Sequence, residues 1–290
     1  QYHPDEIIIT AGAGEALFIA IQSLVNPGDR VLITDPGFVS YEACTRLAGG
    51  VMDPIPLTRD LHIDQDAALG KMRGARLLIL NSPSNPTGTV ESEETIRALV
   101  EAANDAGVTV LSDEVYEHLI YEARHVSAAR FGEDVLTVNA TSKTYSMTGW
   151  RVGYIAGAPD YMEQCLKVHQ YCQTCATSIS QYAAVAAYTG DQSCVSAMRD
   201  EYRARRDILC NGLHDIGFSF PTPQGAFYAF VPLGRETTAR VLDAGVIAVP
   251  GDAFGKNCAE YARFSYATSR ENIQEALRRI ESVVTVNHGI

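Results

Sequence analysis

The chain has 290 residues, 46% of them apolar and 20% charged, which excludes a disordered or fibrous protein and allows a large core with a second domain. The formal net charge of −12 argues against nucleic acid as a partner, because a phosphate backbone selects a basic face. No apolar run approaches a membrane span and no signal peptide is visible, and the seven scattered cysteines read as reduced thiols of a cytoplasmic protein.

The chain opens on Gln1-Tyr2-His3-Pro4-Asp5, without an initiator methionine and close to a strand, which reads as an internal start. Glu6 to Thr10 is that strand. Ala11-Gly12-Ala13-Gly14-Glu15-Ala16 then turns into a helix with apolar positions at Leu17, Ile21 and Leu24. Strand, glycine-rich turn and helix N-terminus form either an anion site, with a phosphate on the N–H groups of Gly12, Ala13 and Gly14, or a tight turn without ligand. No Gly-Lys-Ser/Thr follows, so this is not a Walker sequence.

Asn26-Pro27-Gly28-Asp29 is a turn and Arg30 to Thr34 a second strand. Arg76 to Leu80 reads as a central strand ending in Asn81-Ser82-Pro83-Ser84-Asn85-Pro86-Thr87-Gly88. Proline after Asn85 biases it to an extended conformation, which leaves its side-chain amide able to donate to a ligand; asparagine before proline also marks a simple turn. Glu91 to Ala106 is a helix, and Val108 to Leu111 a strand entering Ser112-Asp113-Glu114-Val115-Tyr116. Alternation puts Asp113 and Val115 on one face. That suits a carboxylate bonded to a ligand beside a small apolar cover, with Tyr116 next in the chain. Asp113 suits a helix cap as well.

Val135 to Val138 is a short buried strand leading to Lys143 among small and hydroxylated neighbours. Burial disfavours an ammonium, and a neutral amine is what a Schiff base with an aldehyde cofactor requires. Arg151 offers a planar cation suited to phosphate. Together they suggest pyridoxal 5'-phosphate (PLP); the alternative is a surface loop with two ordinary cations. Tyr161 to Tyr188 reads as helical, and a charged helix over about Ser196 to Ile216 carries the chain onward. Gln224 to Phe230 and Val246 to Pro250 read as strands, and Tyr261 to Thr268 precedes a closing helix. Cys172-Gln173-Thr174-Cys175 has no second pair or histidine cluster, so the spacing is read as chance and no metal is expected. Strands alternating with helices through residues 1–190 argue a mainly parallel α/β sheet with sites at strand ends.

The run Ser142-Lys143-Thr144-Tyr145-Ser146-Met147-Thr148-Gly149-Trp150-Arg151-Val152-Gly153 resembles the Schiff-base motif of class I/II aminotransferases, which are fold type I PLP enzymes. Asn85-Pro86-Thr87-Gly88 and Arg263-Phe264-Ser265-Tyr266-Ala267 are similar to further elements of that family, in the family's order. The resemblance implies a seven-stranded PLP-binding large domain over 1–190 and a smaller α+β C-terminal domain over 191–290. It implies an aspartate aminotransferase-like transaminase, moving an amino group between an L-amino acid and a 2-oxo acid through a Lys143 aldimine. Aspartate is the first choice of substrate and aromatic amino acids the second. Lys143 would move the proton at Cα, Asp113 would keep the pyridine nitrogen protonated, and Asn85 and Tyr116 would tune the phenolic oxygen. Phe38 would stack on the ring with Val115 on its other face, and Gly12, Ala13, Gly14, Ser142 and Arg151 would hold the phosphate. Arg263, with Asn85, would grip the substrate's α-carboxylate. Ala140 departs from the pattern, since some relatives place a phosphate-binding serine three residues before the lysine.

The resemblance also implies a homodimer with sites at the interface, and a segment before the first strand that covers the cofactor. On that ground the chain alone is expected to fold but to bind PLP weakly and transaminate poorly. Two alternatives share the scaffold: a PLP-dependent lyase or decarboxylase, and the PLP-sensing domain of a transcription regulator.

Overall fold

The computed structural model describes residues 2–285; Gln1 and residues 286–290, the outer ends of the two expected domains, lie outside the described residues. The first elements in the chain are β1 (Ile7–Thr10), α1 (Ala13–Leu24), β2 (Arg30–Asp35), α2 (Val39–Leu47), β3 (Val51–Pro56) and α3 (Gln65–Lys71). Then come β4 (Leu77–Asn81), α4 (Glu93–Asp105), β5 (Thr109–Asp113), β6 (Val135–Ala140), α5 (Thr141–Thr144) and β7 (Gly153–Ala156). Helices α6 (Pro159–Cys172), α7 (Ser178–Thr189) and α8 (Ser193–Ile216) lead to β8 (Tyr228–Val231), α9 (Arg235–Asp243), β9 (Val249–Pro250), β10 (Ala262–Ser265) and α10 (Arg270–Thr285).

Seven strands form one sheet in the order β1-β7-β6-β5-β4-β2-β3. The pairs among β2, β3, β4, β5 and β6 are parallel, whereas β7 runs antiparallel to both β6 and β1. The mainly parallel expectation therefore holds, with β7 as the reversed strand. Central strands are buried on both faces, which is why β4 reads Leu-Leu-Ile-Leu rather than alternating. Helix α4 shows the covering logic. Ser92 caps it by accepting from the Thr95 N–H, Glu93 and Glu94 meet the dipole, and Ile96, Leu99, Val100 and Ala103 form the buried stripe.

Strands β8, β10 and β9 make a second, antiparallel sheet. Leu209 and Leu213 of α8 and Ile273 and Ile280 of α10 share a core with Ala229, Val231, Ala262 and Phe264 of that sheet. Gly217, at φ 111°, ends α8 in the left-handed region that favours glycine.

The structure corrects three readings. Strand β3 was not anticipated: Pro54 and Pro56 interrupt its pattern, and they are tolerated because β3 is the outermost strand. The helix expected over Tyr161 to Tyr188 is two, broken after Cys172, where Thr174 adopts φ 68°. The strands expected over Gln224 to Phe230 and Val246 to Pro250 are shorter than their apolar runs, Tyr228–Val231 and Val249–Pro250.

Candidate active site

The C-terminal ends of β2, β4, β5 and β6 bring Asp35, Asn81, Asp113 and Ala140 to one edge of the sheet, as an open α/β architecture does at its ligand crevice. Thr10 of β1 pairs with Gly153, and so does Ala140 of β6, so the first glycine turn and the lysine segment arrive side by side. A cleft opens there. Ala13, Gly14, Phe38, Asn85, Asp113, Val115, Tyr116, Ser142, Lys143 and Arg151 all line it, together with Tyr41, Asn81, Ser40 and Tyr228, which sequence reasoning passed over. Gly12 and Arg263 stand just behind that lining, each through a partner.

Gly12 has φ 81° and caps α1. A Cβ built on it would fall 2.5 Å from Nη2 of Arg151, so only glycine lets the guanidinium lie against the turn. Arg151 donates to the Thr148 carbonyl at 3.0 Å and to the Ala11 carbonyl at 3.1 Å, which fixes the cation beside the turn. The first N–H groups of α1, Ala13 and Gly14 among them, lack an intrahelical acceptor by geometry. A Cβ at Gly14 would meet nothing within 4 Å, so the glycine leaves open space in the cleft. Amides, dipole and guanidinium thus converge on a place for an anion.

Lys143 sits on the single-turn helix α5 that follows β6. Its Nζ lies 5.4 Å from the ring centre of Phe227 and 5.9 Å from that of Tyr116, and it makes no ion pair among the described residues. Burial lowers its pKa first of all, opposed by the charge of Asp113 and helped by Arg151 and Arg263. That favours the neutral amine.

Asp113 closes β5 and is 4% exposed. Burial pushes its carboxyl up to about 6, against hydrogen bonds from the Tyr41 hydroxyl and the Val115 N–H. Val115 lines the cleft with it but not through strand alternation: β5 ends at Asp113, and a turn brings the Val115 N–H to within 3.4 Å of Asp113 Oδ1. The Asn81 side-chain amide donates to the Asp113 carbonyl at 3.0 Å, tying adjacent strand ends together.

Asn85 precedes a cis proline bond, and its N–H donates to Oδ1 of Asn81 at 2.8 Å. Its own Oδ1 accepts from Arg263 Nη1 at 2.8 Å. Arg263 packs over the Tyr228 ring at 4.3 Å and over Phe254 at 4.7 Å, and its buried Nε has no partner among the described residues. Tyr228 and Tyr116 share a hydrogen bond between hydroxyls at 3.2 Å. The aromatic run Phe227-Tyr228-Ala229-Phe230, whose strand β8 pairs with β10, was the available signal for Tyr228; nothing in the sequence singled out Tyr41. Phe38 meets Tyr41 edge to face, with centroids 5.5 Å apart. Cys172 ends α6 and Cys175 follows in the break before α7, both exposed and neither lining the cleft.

The family described as aminotransferase class I and II matches residues 1–280. A probable aspartate aminotransferase of Methanocaldococcus jannaschii is 43% identical over 96% of this chain and 77% of its own length. An aspartate aminotransferase of Thermus thermophilus, solved with maleate, superposes with a TM-score of 0.92 at 36% identity over 97% of this chain and 76% of that one. An aromatic aminotransferase of Pyrococcus horikoshii gives 0.94 at 35% identity, covering all of this chain (100%) and 82% of that one. Each of these relatives is named as an aminotransferase, which decides for an enzyme of that activity over the lyase and sensing-domain alternatives. With the seven-stranded sheet and the cleft at its strand ends, these matches make the chain a member of the class I and II aminotransferases.

Proposed function

We propose that the cleft binds PLP and that the enzyme transaminates a dicarboxylic or aromatic L-amino acid, aspartate first, with a 2-oxo acid. The observation that carries this reading is the joint presence of Lys143, Asp113 and Arg151 around one cleft, with Arg263 behind Asn85 at its far wall. The residues fit the group. Open space over Gly14 beside Arg151 suits a phosphate, and the orphaned Nε of Arg263 suits a second anion, the substrate's carboxylate. Gly12, Ala13, Gly14, Ser142 and Arg151 would hold the phosphate, Phe38 and Val115 the two ring faces, and Asn85 and Tyr116 the phenolic oxygen.

PLP, when bound, supplies an aldehyde carbon for the amino group and a ring that withdraws electrons from the substrate's Cα. The protein's part is proton handling and orientation. Lys143, whose burial favours the neutral amine, takes the proton from Cα and later returns one. Asp113 holds a proton at the ring nitrogen. Arg263 turns the substrate by its carboxylate, so that the Cα–H faces Lys143. Aspartate leads because relatives named for aspartate stand beside those named for aromatic and prephenate substrates.

The same reading treats residues 1–190 as the cofactor-holding domain and 191–290 as the smaller one, and the assembly as a cytoplasmic homodimer. Support for a dimer comes from α7, whose Ile179, Tyr182 and Val185 are 73%, 80% and 59% exposed along one side. The absence of disulfides among the seven cysteines accords with a reducing compartment. The test is borohydride reduction of the protein with PLP, followed by peptide mapping and a panel of amino acids with 2-oxoglutarate. A pyridoxyl group on Lys143 is expected at high PLP, and aspartate should be turned over faster than the other amino acids of the panel, at a low absolute rate. Attachment instead at Lys71, which pairs with Asp53 at 2.5 Å, or at Lys167, which pairs with Glu163 at 3.0 Å, would reject the assignment.

A further inference from the structure

Tyr41 is among the largest fully buried side chains, 1% exposed, yet it carries a hydroxyl that must be satisfied. That hydroxyl donates to Asp113 Oδ2 at 2.8 Å. Three further contacts hold the ring where it is. The Tyr41 N–H donates to the Phe38 carbonyl at 3.0 Å, the Thr45 hydroxyl donates to the Tyr41 carbonyl at 2.8 Å, and Phe38 meets the ring at an interplanar angle of 80°. The other carboxylate oxygen, Oδ1, meets the Val115 N–H at 3.4 Å, near the limit of a hydrogen bond, and Asp113 lines the cleft.

We propose that Tyr41 is a positioning residue: it clamps one oxygen of Asp113, leaves the other with only the long contact from the Val115 N–H, and sets how firmly Asp113 holds a proton. The proposal rests on the reading of Asp113 as partner of the cofactor's ring nitrogen. The physical case has two parts. Burial raises the Tyr41 pKa well above that of an ordinary phenol, so its hydroxyl stays a donor at every pH the protein meets. A fixed donor stabilises the charged carboxylate and opposes the desolvation that raises Asp113, in company with the Val115 N–H and the nearby Lys143 and against the charge of Glu114. Tyr116 also lies near Asp113, and burial raises its pKa well above the ordinary value, so it stays neutral as well. The same ring supports Phe38, so one side chain aligns both the carboxylate and the aromatic wall of the cleft.

The decisive experiment follows the Asp113 carboxyl directly by carbon NMR in cofactor-free protein labelled at aspartate, with the signal assigned by its loss in Asp113→Asn. Tyr41→Phe deletes one oxygen and keeps the ring packing. It should move the Asp113 titration to higher pH by about one unit or more. Incorporating 3-fluorotyrosine at position 41 makes a stronger donor and should move it the other way, which keeps the test decisive if Tyr41→Phe folds poorly. In the PLP-loaded enzyme, Tyr41→Phe should also shift the pH profile of the cofactor's visible absorbance. An Asp113 titration indifferent to both changes would overturn the role of Tyr41 and leave the reading of Asp113 standing. A loaded Asp113→Asn enzyme with an unaltered absorbance profile would overturn that reading, and the proposal with it.

Discussion

The guanidinium of Arg263, on the central strand of the small sheet, donates to the side-chain oxygen of Asn85, in the turn after β4 of the large one. One hydrogen bond thus links the two sheets at the wall of the cleft. Nη1 is committed to it, whereas Nε is buried without a partner among the described residues. A carboxylate arriving there completes a donor set that is otherwise left wanting, and a buried orphan donor is costly.

Arg263→Lys keeps a positive charge but loses the planar fork. The expected outcome is a rise in KM for the amino acid of about 10- to 100-fold, corresponding to roughly 1.5–3 kcal/mol for a charge-assisted hydrogen bond. Steady-state kinetics across substrates that share the α-carboxylate should show a uniform loss. A loss confined to one side-chain class would assign Arg263 to the side chain instead.

Gly12→Ala and Gly14→Ala should separate stability from anion binding. At Gly12 the added Cβ meets the Arg151 guanidinium and a φ of 81° that other residues avoid, so a loss of about 1–3 kcal/mol is expected in chemical denaturation. At Gly14 the Cβ projects into open space, so stability should hold while PLP binding weakens and binding of dephosphorylated pyridoxal does not. Equal effects on the two vitamers would remove the turn from the phosphate.

Asp113 makes the cofactor-free protein sensitive to pH in one definite direction. Its folded pKa is raised from 3.8 to about 6, so the folded state binds the proton more tightly than the unfolded one. The resulting stability is complete below about pH 4 and is lost as pH climbs through 6, a change of about 3 kcal/mol. Carboxylates held low by cations, Asp53 and Glu122 among them, act in the opposite direction, so the comparison is with Asp113→Asn: urea titrations across this window should show the parent losing about that much relative to the variant. A parent that gains on the variant as pH rises would contradict a raised pKa for the buried Asp113 carboxyl.

Tyr182→Glu places a charge in the middle of the exposed apolar side of α7. Sedimentation equilibrium should then show the dimer dissociating at concentrations where the parent stays associated. Unchanged association would send the search for the interface elsewhere.

The chemistry at strand ends was legible because each functional group there sits in a short motif with few alternatives: Asn85 before a proline, Asp113 at the end of an apolar run, Lys143 among small residues. Tyr41 was not. It lies two residues into an ordinary helix, and only the placing of β2 and β5 in one sheet, with β4 between them, brings its hydroxyl to Asp113. Tyr228 was hidden for a similar reason, since its partners Tyr116 and Arg263 come from both sheets. The break after Cys172 carries neither glycine nor proline; Thr174 takes up the left-handed conformation instead, so no local breaker announced it. Edge strand β3 was masked by its own prolines.

Strand β1 has one neighbour in its sheet, β7, and it stands at the end of the order. During synthesis β1 therefore waits, although it precedes the other six strands, until Gly153–Ala156 have emerged to receive it. Its Ile7, Ile8 and Ile9 remain without their hydrogen-bonded partner for all that interval. Arg151, just ahead of β7, reaches the Ala11 carbonyl of the Gly12 turn, so the turn and its cation can come together only once β7 is made. A ribosome stalled before β7 would display a sticky, unseated apolar strand, which makes this interval the one where chaperone capture should matter most.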